Sequence, residues 1–212
     1  MHAGGHTGDP DWTILLIGGP SASGKTTLAE SLAMRFGLQH IDIDLIYMTL
    51  RRAMPPDIAP IRLYEQNEEY WARPGDELIE DHLRFRVWFC RALEVVVAQQ
   101  YRRGRPTVME GTWLSPPFAN QGVYDGFKVD RVRAIFLYEP AQHATEHRRR
   151  RRANPWDRTF APSVMRNIAA LRMRLGQDLK REAEAERLPV LVSRPMETLE
   201  ARALAALGID VP

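Results

Sequence analysis

The pattern of apolar and polar positions along the chain predicts strands that alternate with helices. Short apolar runs rich in β-branched residues, typical of strands, occur at residues 12–17, 39–46, 107–111, 131–138 and 189–193. Apolar residues recur every three or four positions, the spacing of amphipathic helices, at residues 28–36, 76–103, 164–179 and 198–207. This order predicts an α/β fold of three layers, α/β/α, in which helices cover both faces of a mostly parallel sheet of about five strands.

The most specific pattern lies between the first predicted strand and the first predicted helix. Residues 19–26, Gly-Pro-Ser-Ala-Ser-Gly-Lys-Thr, match G-x-x-x-x-G-K-[ST] at every fixed position, and we call them the phosphate loop. Backbone N–H groups at a helix N-terminus, helped by the helix dipole, bind the phosphates of a nucleotide such as ATP. The residues expected to contact the nucleotide are Gly19, Ser21, Ala22, Ser23, Gly24, Lys25, Thr26 and Thr27.

The phosphate loop has the pattern of P-loop NTPases, in which two side chains of the loop have specific roles. We expect Lys25 to be an exposed loop lysine that reaches the β- and γ-phosphates and acts in catalysis. The Thr26 hydroxyl is positioned to bind Mg²⁺. A nucleotide and a magnesium ion are therefore predicted at this turn.

Carboxylates follow two of the predicted strands. Asp42 and Asp44 flank Ile43, so on an extended chain both side chains face the same way, and Glu110 ends the strand at residues 107–111. One carboxylate can hold the metal while another accepts the proton of an attacking hydroxyl. We expect Asp42 and Glu110 at the metal with Thr26, and Asp44 at the acceptor. The alternatives are that the aspartates cap the next helix or pair with arginine, and that Glu110 serves as base or contacts the substrate.

Arginine supplies all but three of the 29 basic residues, and five arginines stand together at residues 148–152. On a predicted helix that begins at Pro140, Arg148 and Arg152 share one side, from which they could reach transferring phosphate oxygens. A run of charges is also typical of a solvated helix face or of an RNA-binding patch. The RNA alternative is the weaker one here, because the run is short and the aromatic residues are scattered.

Composition sets further bounds on the chain. The net charge of +2 does not by itself indicate a nucleic-acid partner, and no apolar run approaches the roughly 20 residues of a membrane span. Cys90 is the one cysteine, so no internal disulfide is possible, which fits a cytoplasmic protein. Residues 1–11 are expected to form a flexible tail without the apolar region of a secretory signal. Residues 12–212 are expected to form one domain, as a monomer or homodimer.

These motifs together carry a resemblance. The phosphate loop, the Asp-x-Asp after the second strand, the segment Val-Met-Glu-Gly-Thr-Trp at residues 108–113 and the arginine run resemble small kinases of the shikimate, gluconate and adenylate kinase fold. Residues 110–116 look most like 2-phosphoglycerate kinase-type proteins. The resemblance implies that Asp44 contacts the acceptor hydroxyl. It also implies a helical lid, at residues 143–162, whose arginines close over ATP, drawn here from Arg148, Arg151 and Arg152. The Gly-Gly-Gly segment of shikimate kinases is absent, which argues against shikimate as substrate.

The function expected from the sequence is an ATP- and Mg²⁺-dependent kinase that phosphorylates a hydroxyl of a small metabolite, which can itself be anionic. Residues 47–103 are expected to bind the acceptor, with a polar and cationic lining. The residues expected to contact the acceptor are Asp44, Tyr47, Arg51, Arg84, Arg86, Glu110 and Trp113. The alternatives are a nucleoside or nucleotide kinase, and an NTPase switch that acts on RNA or protein.

Overall fold

The computed structural model describes residues 11–54, 68–140 and 160–209. The strands in these ranges are β1 Ile14–Gly18, β2 Gln39–Asp42, β3 Thr107–Gly111, β4 Val123–Tyr124, β5 Phe127–Lys128, β6 Val132–Tyr138 and β7 Val190–Val192. The α-helices are α1 Lys25–Phe36, α2 Ile43–Ala53, α3 Glu68–Trp71, α4 Gly75–Arg102, α5 Pro116–Asn120, α6 Pro162–Ala185 and α7 Leu199–Ala206.

The main sheet has five strands in the order β2-β3-β1-β6-β7, and every neighbouring pair is parallel. The predicted parallel sheet of about five strands is therefore confirmed. In the register of the sheet, Ile17 lies beside Glu110, and Asp42 lies on the far side of Glu110. The carboxyl ends of β1, β2 and β3 thus bring the phosphate loop and two of the predicted carboxylates to one edge, where ligands bind in open α/β sheets.

Both faces of the sheet are covered, because alternate residues of each central strand point to opposite faces. On one face Leu15, Ile17 and Ile135 are buried against α1 and α7. On the other face Leu16, Met109 and Phe136 pack against α4, α5 and α6. The predicted three layers are confirmed. A third, smaller apolar cluster joins α3, the first turns of α4 and the first half of α6.

The second strand is shorter than predicted, and this moves Asp44. Strand β2 ends at Asp42, whose carboxylate Oδ1 accepts a hydrogen bond from the Asp44 N–H at 2.8 Å. Asp42 is thus the N-cap of α2, and Asp44 lies in the first helical turn. The prediction that both aspartates lie on an extended chain and face the same way is wrong, and the alternative that one caps the next helix holds for Asp42.

Three local features differ from what the sequence suggests. Asp76 is a candidate N-cap of α4 by residue type, but the N-cap is Pro74, and Asp76 lies in the first turn and pairs with Arg174 at 2.7 Å. Residues 113–118, which contain two prolines, suggest a loop, but they include the start of helix α5, which is capped by Ser115. A hairpin of β4 and β5 was not predicted, and the positive φ angles of its turn residues, Asp125 and Gly126, allow the tight connection.

Several predictions fall on residues that the structure does not describe. Residues 1–10 of the predicted tail lie outside the described residues, as does almost all of the predicted lid at residues 143–162. Arg148, Arg151 and Arg152 are among them, so their roles stay predictions. Among the helices of the described ranges, none is long and apolar enough to cross a membrane.

Candidate active site

The phosphate loop connects β1 to α1 through a backbone that requires glycine at two positions. Gly19 and Gly24 have φ angles of 148° and 91°. A Cβ at Gly19 would lie 2.8 Å from the Leu137 carbonyl oxygen, and a Cβ at Gly24 would lie 2.6 Å from the Met196 Cε. The backbone conformation therefore disfavours a side chain at either glycine, and at Gly19 the nearby carbonyl oxygen excludes one as well.

A cavity of about 290 Å³ opens beside this loop. It is lined by Ala22, Gly24, Lys25, Thr26, Thr27, Arg194 and Met196. Within the loop, Ser23 is buried, and its Oγ has no hydrogen-bond partner among the described residues. A buried hydroxyl without a partner is costly, and a phosphate oxygen would satisfy it. The loop therefore fits the phosphates of a nucleotide, and Arg194 and Met196 are wall residues that the sequence did not reveal.

Lys25 is less exposed than the sequence suggested. Its relative exposure is 6%, and its Nζ donates a hydrogen bond to the Pro20 carbonyl oxygen at 3.0 Å. Its positive charge also lowers the pKa values of Asp44 and Glu110, against the larger effect of burial. The expectation of an exposed lysine is wrong. Lys25 is instead a buried cation enclosed by the loop and by two carboxylates.

Thr26 and Glu110 meet directly, because β3 lies next to β1 in the sheet. The Thr26 hydroxyl donates to Glu110 Oε1 at 2.9 Å, and His40 Nε2 lies 3.9 Å from the same oxygen. Burial raises the pKa of Glu110, and the Asp42 carboxylate raises it further. A hydroxyl and two carboxylates are oxygen ligands, and Mg²⁺ typically uses one or two carboxylates together with phosphates. Thr26, Glu110 and Asp42 therefore fit a magnesium ion bound with a nucleotide.

Asp44 lies in the same cluster. Burial raises its pKa above the ordinary value, and the Asp42 carboxylate adds to this, whereas Lys25 and a backbone hydrogen bond from Thr112 oppose it. Its Oδ1 is buried and has no hydrogen-bond partner within the described ranges. A Cβ at Gly111 would lie 3.5 Å from this oxygen, so the end of β3 comes close to the carboxylate. Asp44 is thus a poorly solvated carboxylate that can accept a proton.

The structure brings together three of the residues expected at the acceptor, Tyr47, Arg51 and Trp113. Tyr47 follows Asp44 by one turn of α2, and its ring lies 5.9 Å from the Trp113 ring. Burial raises the pKa of Tyr47, and a hydrogen bond and the charge of Arg51 oppose that rise. Trp113 is only 4% exposed and stacks on His82 at 4.6 Å. Its ring is therefore largely covered by neighbouring aromatic groups.

The other two arginines expected at the acceptor have protein partners instead. Arg84 is exposed and pairs with Glu80 at 2.8 Å on the outer side of α4. Arg86 pairs with Glu182 of α6 at 2.7 Å. The first contact joins two turns of α4, and the second joins α4 to α6. A role for them at the acceptor stays a prediction.

Four residues near the acceptor side were missed in the sequence. Arg73 donates to Asp81 Oδ2 at 2.6 Å, and its guanidinium lies 5.3 Å from the Tyr70 ring centre. His82, next to Asp81, is almost fully buried, and burial lowers its pKa to about 3. Asp81 and His82 lie on the apolar face of α4. Polar residues at core positions of a helix are unusual, and this pattern could have identified them from the sequence.

Arg172 is a further residue that the sequence did not single out. Helix α6 passes close to the phosphate loop, since a Cβ at Gly176 would lie 3.7 Å from Pro20 Cγ. Arg172 precedes Gly176 by four residues, so both lie on the same side of α6. It is partly buried and follows the buried Leu171. An arginine at the border of the apolar face was the signal in the sequence.

Comparison with known proteins adds two groups of relatives. A 2-phosphoglycerate kinase of Methanococcus maripaludis (strain C6) is 32% identical over 114 residues, which cover 49% of this chain and 36% of that protein. A cytidylate kinase of Ignicoccus hospitalis is 28% identical over 53% of this chain and 56% of that protein. A cytidylate kinase of Methylocella silvestris is 54% identical over 41 residues, 19% of each chain. The chain thus spans between a fifth and about half of the length of these relatives.

Solved structures and a family model match most of the chain. A sugar kinase from Janibacter sp. HTCC2649 has a TM-score of 0.52 at 21% identity, over 93% of this chain and 95% of that one. A shikimate kinase from Bacteroides thetaiotaomicron has a TM-score of 0.52 at 16% identity, over 93% and 99%. These likenesses show the fold of P-loop kinases. The family model AAA_33, described as an AAA domain, matches residues 14–177. The chain therefore belongs to the AAA_33 family of P-loop proteins.

Proposed function

We propose that this protein is an ATP- and Mg²⁺-dependent kinase that transfers the γ-phosphoryl group of ATP to a hydroxyl of a small molecule. The observation that carries the proposal is the position of Asp44. Its carboxylate is buried beside Lys25 and the phosphate loop, and its Oδ1 has no hydrogen-bond partner in the described part of the chain. A proton acceptor next to a phosphate-binding loop is the arrangement that phosphoryl transfer to a hydroxyl requires.

The chain's own residues divide the work of the reaction. The phosphate loop binds the phosphates of ATP, and Lys25 stabilises the charge on the transferred group. Thr26, Glu110 and Asp42 would hold Mg²⁺, which would neutralise phosphate charge when bound. Asp44 accepts the proton of the acceptor hydroxyl while that oxygen bonds to the γ-phosphorus and the bond to the ADP oxygen breaks.

Arg172 supports the same chemistry from α6. Its side of the helix is the one that approaches Pro20, and a guanidinium keeps its charge and binds phosphate oxygens in pairs. We place it at the transferred phosphoryl group, together with the lid residues Arg148, Arg151 and Arg152. Burial of the site on closure of the lid would limit transfer to water.

The test is ADP formation by the purified protein with a panel of hydroxylated metabolites, nucleosides and nucleotides. Lys25→Met and Asp44→Asn are expected to lower acceptor-dependent turnover about 10²-fold or more, because each removes a group that acts in the transition state. Lys180→Met is the matched control, since Lys180 is a surface residue paired with Glu184, and it is expected to keep full turnover.

Two results would contradict the proposal. Turnover of the Lys25→Met protein at the wild-type rate would show that the phosphate loop does not act in catalysis. ATP consumption that ignores every small acceptor, and rises only with RNA or protein, would favour the NTPase switch that the sequence left open.

A further inference from the structure

The residues on the acceptor side of Asp44 come from α2, α3, α4 and the connection between α3 and α4. The inference drawn from them rests on the proposed kinase function. Tyr47 follows Asp44 by three positions on α2, on the same side of that helix. Tyr70 of α3 lies close enough to both Tyr47 and Asp81 for their charges to raise the pKa of its hydroxyl, after the larger effect of burial. Tyr47, Arg51, Tyr70, Arg73 and Asp81 therefore form one surface, which we call the acceptor wall.

Most positive charge on and near the acceptor wall is already neutralised by protein carboxylates. Arg73 donates to Asp81 at 2.6 Å and to Glu77 at 2.9 and 3.0 Å. Among the neighbours on α4, Arg84 and Arg86 are paired with Glu80 and Glu182. Within the described ranges, Arg51 is the arginine of the acceptor wall that forms no ion pair with a carboxylate.

In the part of the chain that the structure describes, a single unneutralised arginine on the acceptor wall does not match a phosphorylated acceptor. A phosphate monoester carries nearly two negative charges and three acceptor oxygens, and a partly buried site usually compensates such a group with two or more cations. Lys25 lies at the phosphate loop, where the phosphates of ATP already require it, and the proposed function assigns Arg172 to the same phosphates. By contrast, phenol hydroxyls and one guanidinium suit hydroxyl groups and a carboxylate.

We propose that the acceptor is an unphosphorylated polyol that carries at most one negative charge, bound by Tyr47 and Arg51. Tyr47 contacts a hydroxyl group next to the one that is phosphorylated. Arg51 binds a second hydroxyl or a carboxylate of the acceptor. Arg73, which is bonded to the two carboxylates of Asp81 and Glu77, closes the wall without attracting a phosphate.

Pairs of compounds that differ by one phosphate test this inference directly. Suitable pairs are cytidine and CMP, glycerate and 2-phosphoglycerate, glucose and glucose 6-phosphate, and gluconate and 6-phosphogluconate. The full chain is assayed for ADP formation with each member at saturating ATP and Mg²⁺. In every pair with activity, kcat/KM is expected to be at least tenfold higher for the member without the phosphate.

Variants of the acceptor wall provide a second arm. Arg51→Met is expected to raise KM about tenfold or more for a carboxylate acceptor such as gluconate, with little change for a neutral acceptor or for ATP. Arg174→Met is the matched control, because Arg174 is exposed and paired with Asp76, and it is expected to change none of these values.

The possible outcomes separate this inference from the proposed function. Transfer only to phosphorylated members, or a preference for them, overturns the inference and leaves a kinase. Equal effects of Arg51→Met and Arg174→Met on a carboxylate acceptor overturn the role of Arg51. Absence of acceptor-dependent ADP formation with every pair overturns both the inference and the kinase.

Discussion

At the scale of single residues, His82 links the stability of the acceptor side to pH. Its imidazole is buried, it stacks on Trp113, and burial together with the charge of Arg86 lowers its pKa from 6.5 to about 3. In the unfolded chain the same histidine takes up a proton near pH 6.5. The unfolded state therefore binds more protons between these two pKa values, and stability is lost as the pH falls through that range.

We predict that His82→Phe reduces the acid sensitivity of the fold. Between pH 7.5 and pH 5 the buried histidine accounts for a loss of about 2 kcal/mol of unfolding free energy in the wild type. A phenylalanine keeps an aromatic ring against Trp113 but cannot be protonated. Urea unfolding at both pH values checks this: the difference between them should be smaller in the variant by about that amount. An identical pH dependence in both proteins would mean that His82 is not buried in its neutral form.

Gly111 is a second residue whose role follows from space. A Cβ there would lie 2.2 Å from Ile43 Cγ1 at the start of α2, so an alanine must push α2, and Asp44 with it, away from β3. We predict that Gly111→Ala lowers the free energy of unfolding by about 1–3 kcal/mol and lowers turnover as well. Gly75→Ala is the control, because nothing lies within 4 Å of a Cβ there and stability should stay the same or rise slightly. Wild-type turnover in Gly111→Ala would contradict the close fit of α2 against β3.

At the scale of elements, local patterns were predictable and long-range contacts were not. The phosphate loop and α1 could be predicted because their conformation depends on a few neighbouring residues, including the left-handed Gly37 that ends α1. Helix α2 was missed because the alternation of Ile41, Asp42 and Ile43 is typical of a strand, although the Asp42 side chain caps the helix. The β4–β5 hairpin carried a local signal, Asp125-Gly126 between aromatic residues, that could have found it.

In the candidate site, too, local features could be predicted from the sequence and long-range contacts could not. The phosphate loop and the strand-end carboxylates could be located from residue type and position, since the sheet brings strand ends together. The partners of Arg86 and Thr26 could not be predicted. Glu182, the partner of Arg86, is 96 residues away in the chain, and Glu110, the partner of Thr26, is 84 residues away. Arg86 looked like an acceptor residue for this reason: a sequence shows the charge of an arginine but not a distant carboxylate that already neutralises it. The partner of Arg84, Glu80, lies four positions earlier on the same helix and could have been recognised.

Two arginines of helix α6 lie on different sides of the helix, and this difference gives a prediction. Arg172 lies on the side that approaches the phosphate loop, whereas Arg174 is exposed and pairs with Asp76. We predict that Arg172→Met lowers kcat about 10²-fold, because it removes a positive charge that stabilises the transferred phosphoryl group. Arg174→Met should leave kcat within about twofold of the wild type. Steady-state kinetics of both variants check this, and equal losses would indicate that α6 acts only through its fold.

At the scale of the whole molecule, nucleotide binding couples the phosphate loop to both faces of the sheet. Gly24 lies beside Met196, which precedes α7 and belongs to the apolar cluster on the α1 side. Thr26 contacts Glu110 of β3, and Pro20 lies against Gly176 of α6 on the opposite face. A ligand that orders the phosphate loop therefore stabilises contacts in all three layers, and its effect should appear in global unfolding.

We predict that ATP raises Tm and that the increase is larger with Mg²⁺ than with EDTA. A ligand at 100 times its Kd adds about 2.7 kcal/mol, which for a chain of this size corresponds to about 5–10 °C. The part that depends on Mg²⁺ should be lost in Thr26→Ala and Glu110→Gln, because each removes an oxygen ligand of the metal. Thr49→Ala, which removes an exposed hydroxyl bonded to its own helix, should keep it. Thermal unfolding of the four proteins with ATP, in Mg²⁺ and in EDTA, gives the comparison. An Mg²⁺-dependent increase that survives in both Thr26→Ala and Glu110→Gln would place the metal away from the end of β3.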